Sequence, residues 1–204
     1  LVAAAAELGR QANVAFDVSR AEGETTVRLR FADVPFWEAV ERLAKASNQR
    51  YVVVGHGSRV AFNSEPFRPR PVWIDGPFRF AARRVVGRVD LETGVALHEV
   101  HVELAWEPTF RAYYYELDAA SISARDEVGR SLAAIADGSN RVSVGAETPE
   151  FVVKLRDVPR TAAKVARLDG VVKVLGTTQM LQFSFALTDQ SPTMKRGEVT
   201  GNLV

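Results

Sequence analysis

The chain has 204 residues, 47% hydrophobic and 25% charged, enough to build one large core or two small ones without staples. A formal net charge of +1 supplies no global field toward nucleic acid or anionic lipid, so neither is expected as a partner. Cysteine is absent, which excludes disulfides, thiolate metal sites and a cysteine nucleophile, and no apolar run reaches the roughly 20 residues of a membrane span.

Leu1, Ala5, Leu8 and Ala12 recur at helical spacing in an alanine-rich stretch that stops at Asn13. The chain opens already inside this pattern and reads as trimmed, with any signal peptide removed. Val14, Phe16 and Val18 alternate as a strand. After a polar turn, Val27, Leu29 and Phe31 alternate with Arg28, Arg30 and Ala32, which predicts a second strand. Asp33-Val34-Pro35 ends it and opens a helix, because proline suits a helix start and not a sheet interior. Phe36, Val40, Leu43 and Ala44 form the apolar stripe of that helix, and Asn48 suits its left-handed end. Residues 50–54 and 59–62, joined by the turn Gly55-His56-Gly57-Ser58, read as a hairpin.

The resulting order, α-β-β-α-β-β, is a two-layer α/β unit over residues 1–63. Its residues Ala32-Asp33-Val34-Pro35-Phe36-Trp37-Glu38-Ala39-Val40-Glu41-Arg42-Leu43, following the two alternating strands, resemble the short N-terminal domain of secretins and TonB-dependent receptors. Asp33-Val34-Pro35, Glu38-Ala39 and Leu43 match that family's pattern, and Val40 stands where leucine is usual. The resemblance covers residues 1 to about 62. It implies a periplasmic or cell-envelope module that docks other proteins or packs against copies of itself.

Residues 64–71 hold three prolines and read as a stiff linker. Beyond them the texture is all-β. Short candidate strands lie at residues 72–74, 78–80 and 84–86. Residues 95–105 place Val100, Val102 and Leu104 on one face and Glu99, His101 and Glu103 on the other. Further strands are expected at 110–117, 142–144, 151–155, 171–175 and 180–187, with a hairpin turn at 126–129. Together they suggest an antiparallel β-sandwich over 72–188, followed by a polar tail over 189–204. The fold class is therefore α+β. Val153-Lys154-Leu155-Arg156-Asp157-Val158-Pro159 echoes the stretch before Phe36. The residues after Pro159, with Ala162, Val165 and Leu168, read as a short helix crossing between sandwich strands, a second α/β unit being the alternative.

Chemistry-bearing motifs are scarce. No Gly-x-Ser-x-Gly elbow or glycine-rich phosphate loop occurs, so no catalytic residue, cofactor or metal is assigned. His98 and His101 stand three apart on a strand and so point to opposite faces. Glu99, His101 and Glu103 share a face, which leaves metal-assisted hydrolysis as an outlying reading. Residues 67–88 carry six arginines against Asp75 alone, a net +5. Arg68, Arg70, Arg83, Arg84 and Arg88, with Trp37 on the first unit, are the candidate partner-binding residues, for another envelope protein or for self-association. Pairing of these arginines with the acidic second half is the competing reading. Trp73, Trp106 and the run Tyr113-Tyr114-Tyr115 would stack on sugars if exposed, which makes polysaccharide binding the alternative function.

Overall fold

The computed structural model describes residues 1–21, 25–54, 59–135, 141–145, 148–156, 158–159, 161–177, 193–196 and 199–202, the last two stretches as backbone. It is an α+β chain, predominantly β.

The first unit opens with helix α1 (Val2–Ala12), which buries Ala5, Leu8 and Gly9 and ends on Asn13 in the left-handed conformation at φ 53°. Gly9 is required by close packing. A Cβ there would stand 2.6 Å from the Val14 carbonyl, so the ordinary preference for alanine inside a helix is overridden. Strand β1 (Ala15–Arg20) follows. Helix α2 (Phe36–Ser47) begins right after Pro35 and ends on Asn48 at φ 51°, whose N–H reaches the Ala44 and Lys45 carbonyls. Its expected stripe is buried, and Trp37 and Ala39 are buried with it. Burying Val40, Leu43 and Trp37 contributes about 1.5–3 kcal/mol each. Strands β2 (Arg50–Val54) and β3 (Arg59–Asn63) pair antiparallel, Arg50 opposite Asn63 and Val54 opposite Arg59, as the hairpin reading requires. The turn expected between them, at 55–58, lies outside the described residues. Strand β1 joins β3 in parallel, giving the order β1-β3-β2.

The predicted strand at residues 27–32 is not part of this sheet. The chain there is extended, and Val27 and Phe31 pack on the α/β core. Among the described residues, however, the backbone of 26–31 makes no hydrogen bond. The observed order is thus α-β-α-β-β with an unpaired extended segment between β1 and α2.

The proline-rich linker is docked against the first unit. The Arg50 N–H donates to the Glu65 carbonyl, the Phe67 N–H donates to the Asn48 carbonyl, and Phe67 packs on the α/β core. The second unit then runs β4 (Val72–Asp75), β5 (Phe78–Val89), β6 (Ala96–Trp106), β7 (Arg111–Asp126), β8 (Ser131–Ile135), β9 (Arg141–Ser143), β10 (Glu150–Arg156) and β11 (Val165–Thr177). Their hydrogen bonds form one continuous sheet of eight strands, β11-β7-β8-β10-β6-β5-β4, with β9 beside β7. The expected two-sheet sandwich therefore takes the form of a single antiparallel sheet curled on itself. The candidate strands at 78–80 and 84–86 are one strand, β5, interrupted by a register shift between Ala82 and Arg84.

Two further expectations are corrected. Residues 165–168 form no helix, because β11 pairs along β7 from Val165 opposite Asp126 to Thr177 opposite Arg111, so the echo of the first unit is not a repeat. The polar tail holds a small hairpin, β12 (Thr193–Arg196) antiparallel to β13 (Val199–Asn202). The strand expected at 180–187 lies outside the described residues. The hairpin turn expected after β7 is present. Buried Asp126 accepts from the N–H groups of Val128 and Arg130 and from Arg130 Nε at 2.7 Å. Burial pushes its carboxyl up, but those donors, Arg130 foremost, hold it below the usual aspartate range.

Candidate functional site

Strand β6 is buried on both faces through its second half. Val100 and Val102 belong to one apolar cluster and Leu104 and Trp106 to another, while Glu99, His101 and Glu103 form the opposite face. Strand β5 supplies arginines to that charged face on both sides of its register shift. Ala81 pairs with Glu103 before the shift, and Arg84 pairs with His101 after it. The bulge reverses the alternation, so Arg79 and Arg83 share a face with Arg84 and Arg88 although their numbers differ in parity.

At the inner end of this face Arg79 is fully buried. Its Nη1 donates to Glu103 Oε1 at 2.9 Å, and its Nε and Nη2 donate to Glu41 Oε1 of α2 at 3.1 Å. The guanidinium carbon lies 5.2 Å from the Tyr51 ring centroid and 5.9 Å from that of Trp37. Tyr51 adds a 2.6 Å hydrogen bond to Glu41 Oε1. Burial opposes the Arg79 charge, but Glu41 and Glu103 outweigh it and the guanidinium is raised above its ordinary value. Burial pushes the Tyr51 phenol well up, so it stays protonated at neutral pH and the two carboxylates are the charges that hold Arg79.

Trp37 completes this junction. Its indole Nε1 donates to the Pro77 carbonyl at 3.0 Å, the same oxygen that accepts from the Glu107 N–H. Trp37 is wholly buried, so the face expected to meet a partner is occupied by the second unit of its own chain. Across the same junction, the Thr148 hydroxyl donates to the Val53 carbonyl at 3.3 Å.

The remaining arginines are largely paired within the chain. Arg70 lies 3.5 Å and Arg83 3.3 Å from Glu103, Arg84 lies 3.9 Å from Glu150, and Arg88 lies 3.3 Å from Glu99. Burial and the neighbouring Arg79 pull the Arg70 guanidinium below its ordinary value. Glu150 stands opposite Glu103 on β10, and Arg70, Arg79, Arg83 and Arg84 offset that like-charge pair. Arg68 is exposed and without an ion pair among the described residues, so it stands apart from the ladder.

His101 Nδ1 lies 2.7 Å from Glu150, and its Nε2 lies 3.8 Å from Glu99. The three residues of the metal reading do share a face, but their carboxylates face guanidinium groups. Among the described residues no group of three or more histidine, aspartate or glutamate side chains is placed to hold an ion.

The other face of the curled sheet encloses a cleft of about 470 Å³, lined by Phe80, Val102, Leu117, Ile122, Phe151 and Leu168 among others. Trp73 borders it and is 70% exposed. Trp106 and Tyr115 are core residues, while Tyr113 and Tyr114 are partly exposed, so the aromatic set expected for sugars is divided.

Compared with family models, curated proteins and solved structures, the chain matches none. Its own geometry is therefore what bears on function. Among the described residues, no helix is long and apolar enough to cross a membrane. Sequence reasoning missed Glu41 and the special position of Arg79. A signal existed for the first: Glu41 lies four residues after Trp37, hence on the same helix face.

Proposed function

We propose that the chain is a non-enzymatic interaction module of a bacterial cell envelope, periplasmic in location, that docks another protein through its N-terminal α/β unit. The carrying observation is the segment 26–31, extended, alternating in sequence and unpaired along its backbone among the described residues. Unpaired extended backbone is a template for another strand. The resemblance of residues 1 to about 62 to the secretin and TonB-receptor short domain supports the same reading. Burial of Trp37 moves the docking surface away from that residue and onto the segment. The junction at Arg79 makes the second unit a rigid support.

The test is cross-linking capture from a native envelope extract with the full chain as bait, identifying protein and glycan together. A single enriched protein, lost on Leu29→Pro, is the expected outcome. Enriched glycan without protein would overturn it and favour polysaccharide binding, the reading that the exposed Trp73 beside the cleft supports.

A further inference from the structure

We infer that residues 26–31 receive an acidic, extended segment of a different protein, paired strand to strand, and do not serve self-association. This rests on the docking reading above and specifies its partner. The geometry supplies three requirements. The main chain is extended with its donors and acceptors unused among the described residues, so an incoming strand can satisfy them without displacing an internal bond. Val27 and Phe31 pack inward on the α/β core, which fixes the segment against a rigid backing. Arg28 and Arg30 are exposed and without ion pairs among the described residues, with Leu29, 38% exposed, between them.

Those arginines decide the partner. In an antiparallel pair of two copies, every register that sets Leu29 opposite Val27, Leu29 or Phe31 also sets arginine opposite arginine. Like charges placed directly opposite destabilise a strand pair, so a second copy is disfavoured by the same residues that suit a carboxylate-bearing strand. Asp33 does not cancel them, because its left-handed backbone at φ 51° turns the chain after the segment.

The experiment uses the full chain and synthetic peptides matching the segment in length, of alternating Val and Glu, Val and Lys, or Val and Gln, followed by fluorescence anisotropy. The Val-Glu peptide is expected to bind roughly tenfold more tightly than the Val-Lys peptide, the effect of two cross-strand ion pairs with favourable main-chain pairing. The exposed double substitution Arg28→Glu/Arg30→Glu should reverse that order. Leu29→Pro, which removes an N–H that no described group uses, should abolish binding of all three peptides while leaving the circular dichroism spectrum and unfolding midpoint unchanged. Equal binding of the Glu and Lys peptides, peptide binding that survives Leu29→Pro, or a wild-type dimer dissolved by Leu29→Pro would each overturn the inference. In the capture experiment, a protein retained undiminished by Arg28→Glu/Arg30→Glu would overturn this assignment and leave the docking reading standing. Capture of no protein by the wild-type chain would overturn the docking reading itself.

Discussion

Arg79 and Arg88 stand on one face of one strand, yet their side chains are 0% and 67% exposed. Arg79 is covered by α2 and the Tyr51 ring and meets two carboxylates that are 21% and 11% exposed. Arg88 reaches a single glutamate at the open end of the same face. Both ends set arginine against glutamate, two at the inner end and one at the outer. What differs is the cover, and cover decides whether an ion pair is structural. In water, attraction between such charges is largely offset by side-chain ordering and salt. Inside the junction the paired charges cannot be separated without leaving one stranded.

Arg79→Met would break the contrast most severely. It takes the ion pair from half-buried Glu41 and leaves buried Glu103 with only Arg70 and Arg83, and it should cost about 3–5 kcal/mol in urea unfolding. Adding Glu41→Gln and Glu103→Gln should recover part of that loss, since the stranded charges go with the arginine. If the triple variant were no more stable than the single one, the rings of Trp37 and Tyr51 would be the dominant partners of Arg79.

Tyr51→Phe sharpens the comparison through pH. The folded phenol is raised well above its unfolded value by burial, so its contribution is full below about pH 10 and is lost as the pH climbs beyond that. The variant should lose about 1–3 kcal/mol at neutral pH, where Glu41 forfeits a donor, and show a flatter alkaline limb than the wild type. An unchanged alkaline limb would mean that another group governs it.

Arg88→Ala is the smallest effect and the control. Unfolding should shift by about 0–1 kcal/mol. A loss approaching that of Arg79→Met would show that the outer end of the ladder is covered too.

Much of the first unit was legible because its signals are local. The stripe of α2, its left-handed stop at Asn48 and the 50–63 hairpin each depend on residues a few positions apart. Strand β6 was legible for the same reason, its two faces separating by alternation. The failures all involve distant partners. Alternation at Val27, Leu29 and Phe31 announces an extended chain but cannot say whether a neighbour is there to pair with it. Val165 and Leu168 fit a helical spacing over too short a run to resist pairing with β7. Trp37 looked available because the Pro77 carbonyl and Arg79 that cover it lie about 40 residues away in sequence. Parity hid the ladder as well, since a strict alternation from Arg79 would send Arg84 and Arg88 into the apolar cleft.

That register shift also sets where the gene can shorten. Ala82 sits opposite Val102 and Arg84 opposite His101, so excising one arginine of the Arg83-Arg84 pair, either deletion giving the same sequence, would leave both flanks facing as they do now. Removing any other single residue between Arg79 and Arg88 forces a choice between moving the shift and turning one flank over, charges toward the cleft and valines toward the carboxylates. Strand β5 thus has one position where its length is negotiable, and everywhere else the count of residues is as constrained as their identity.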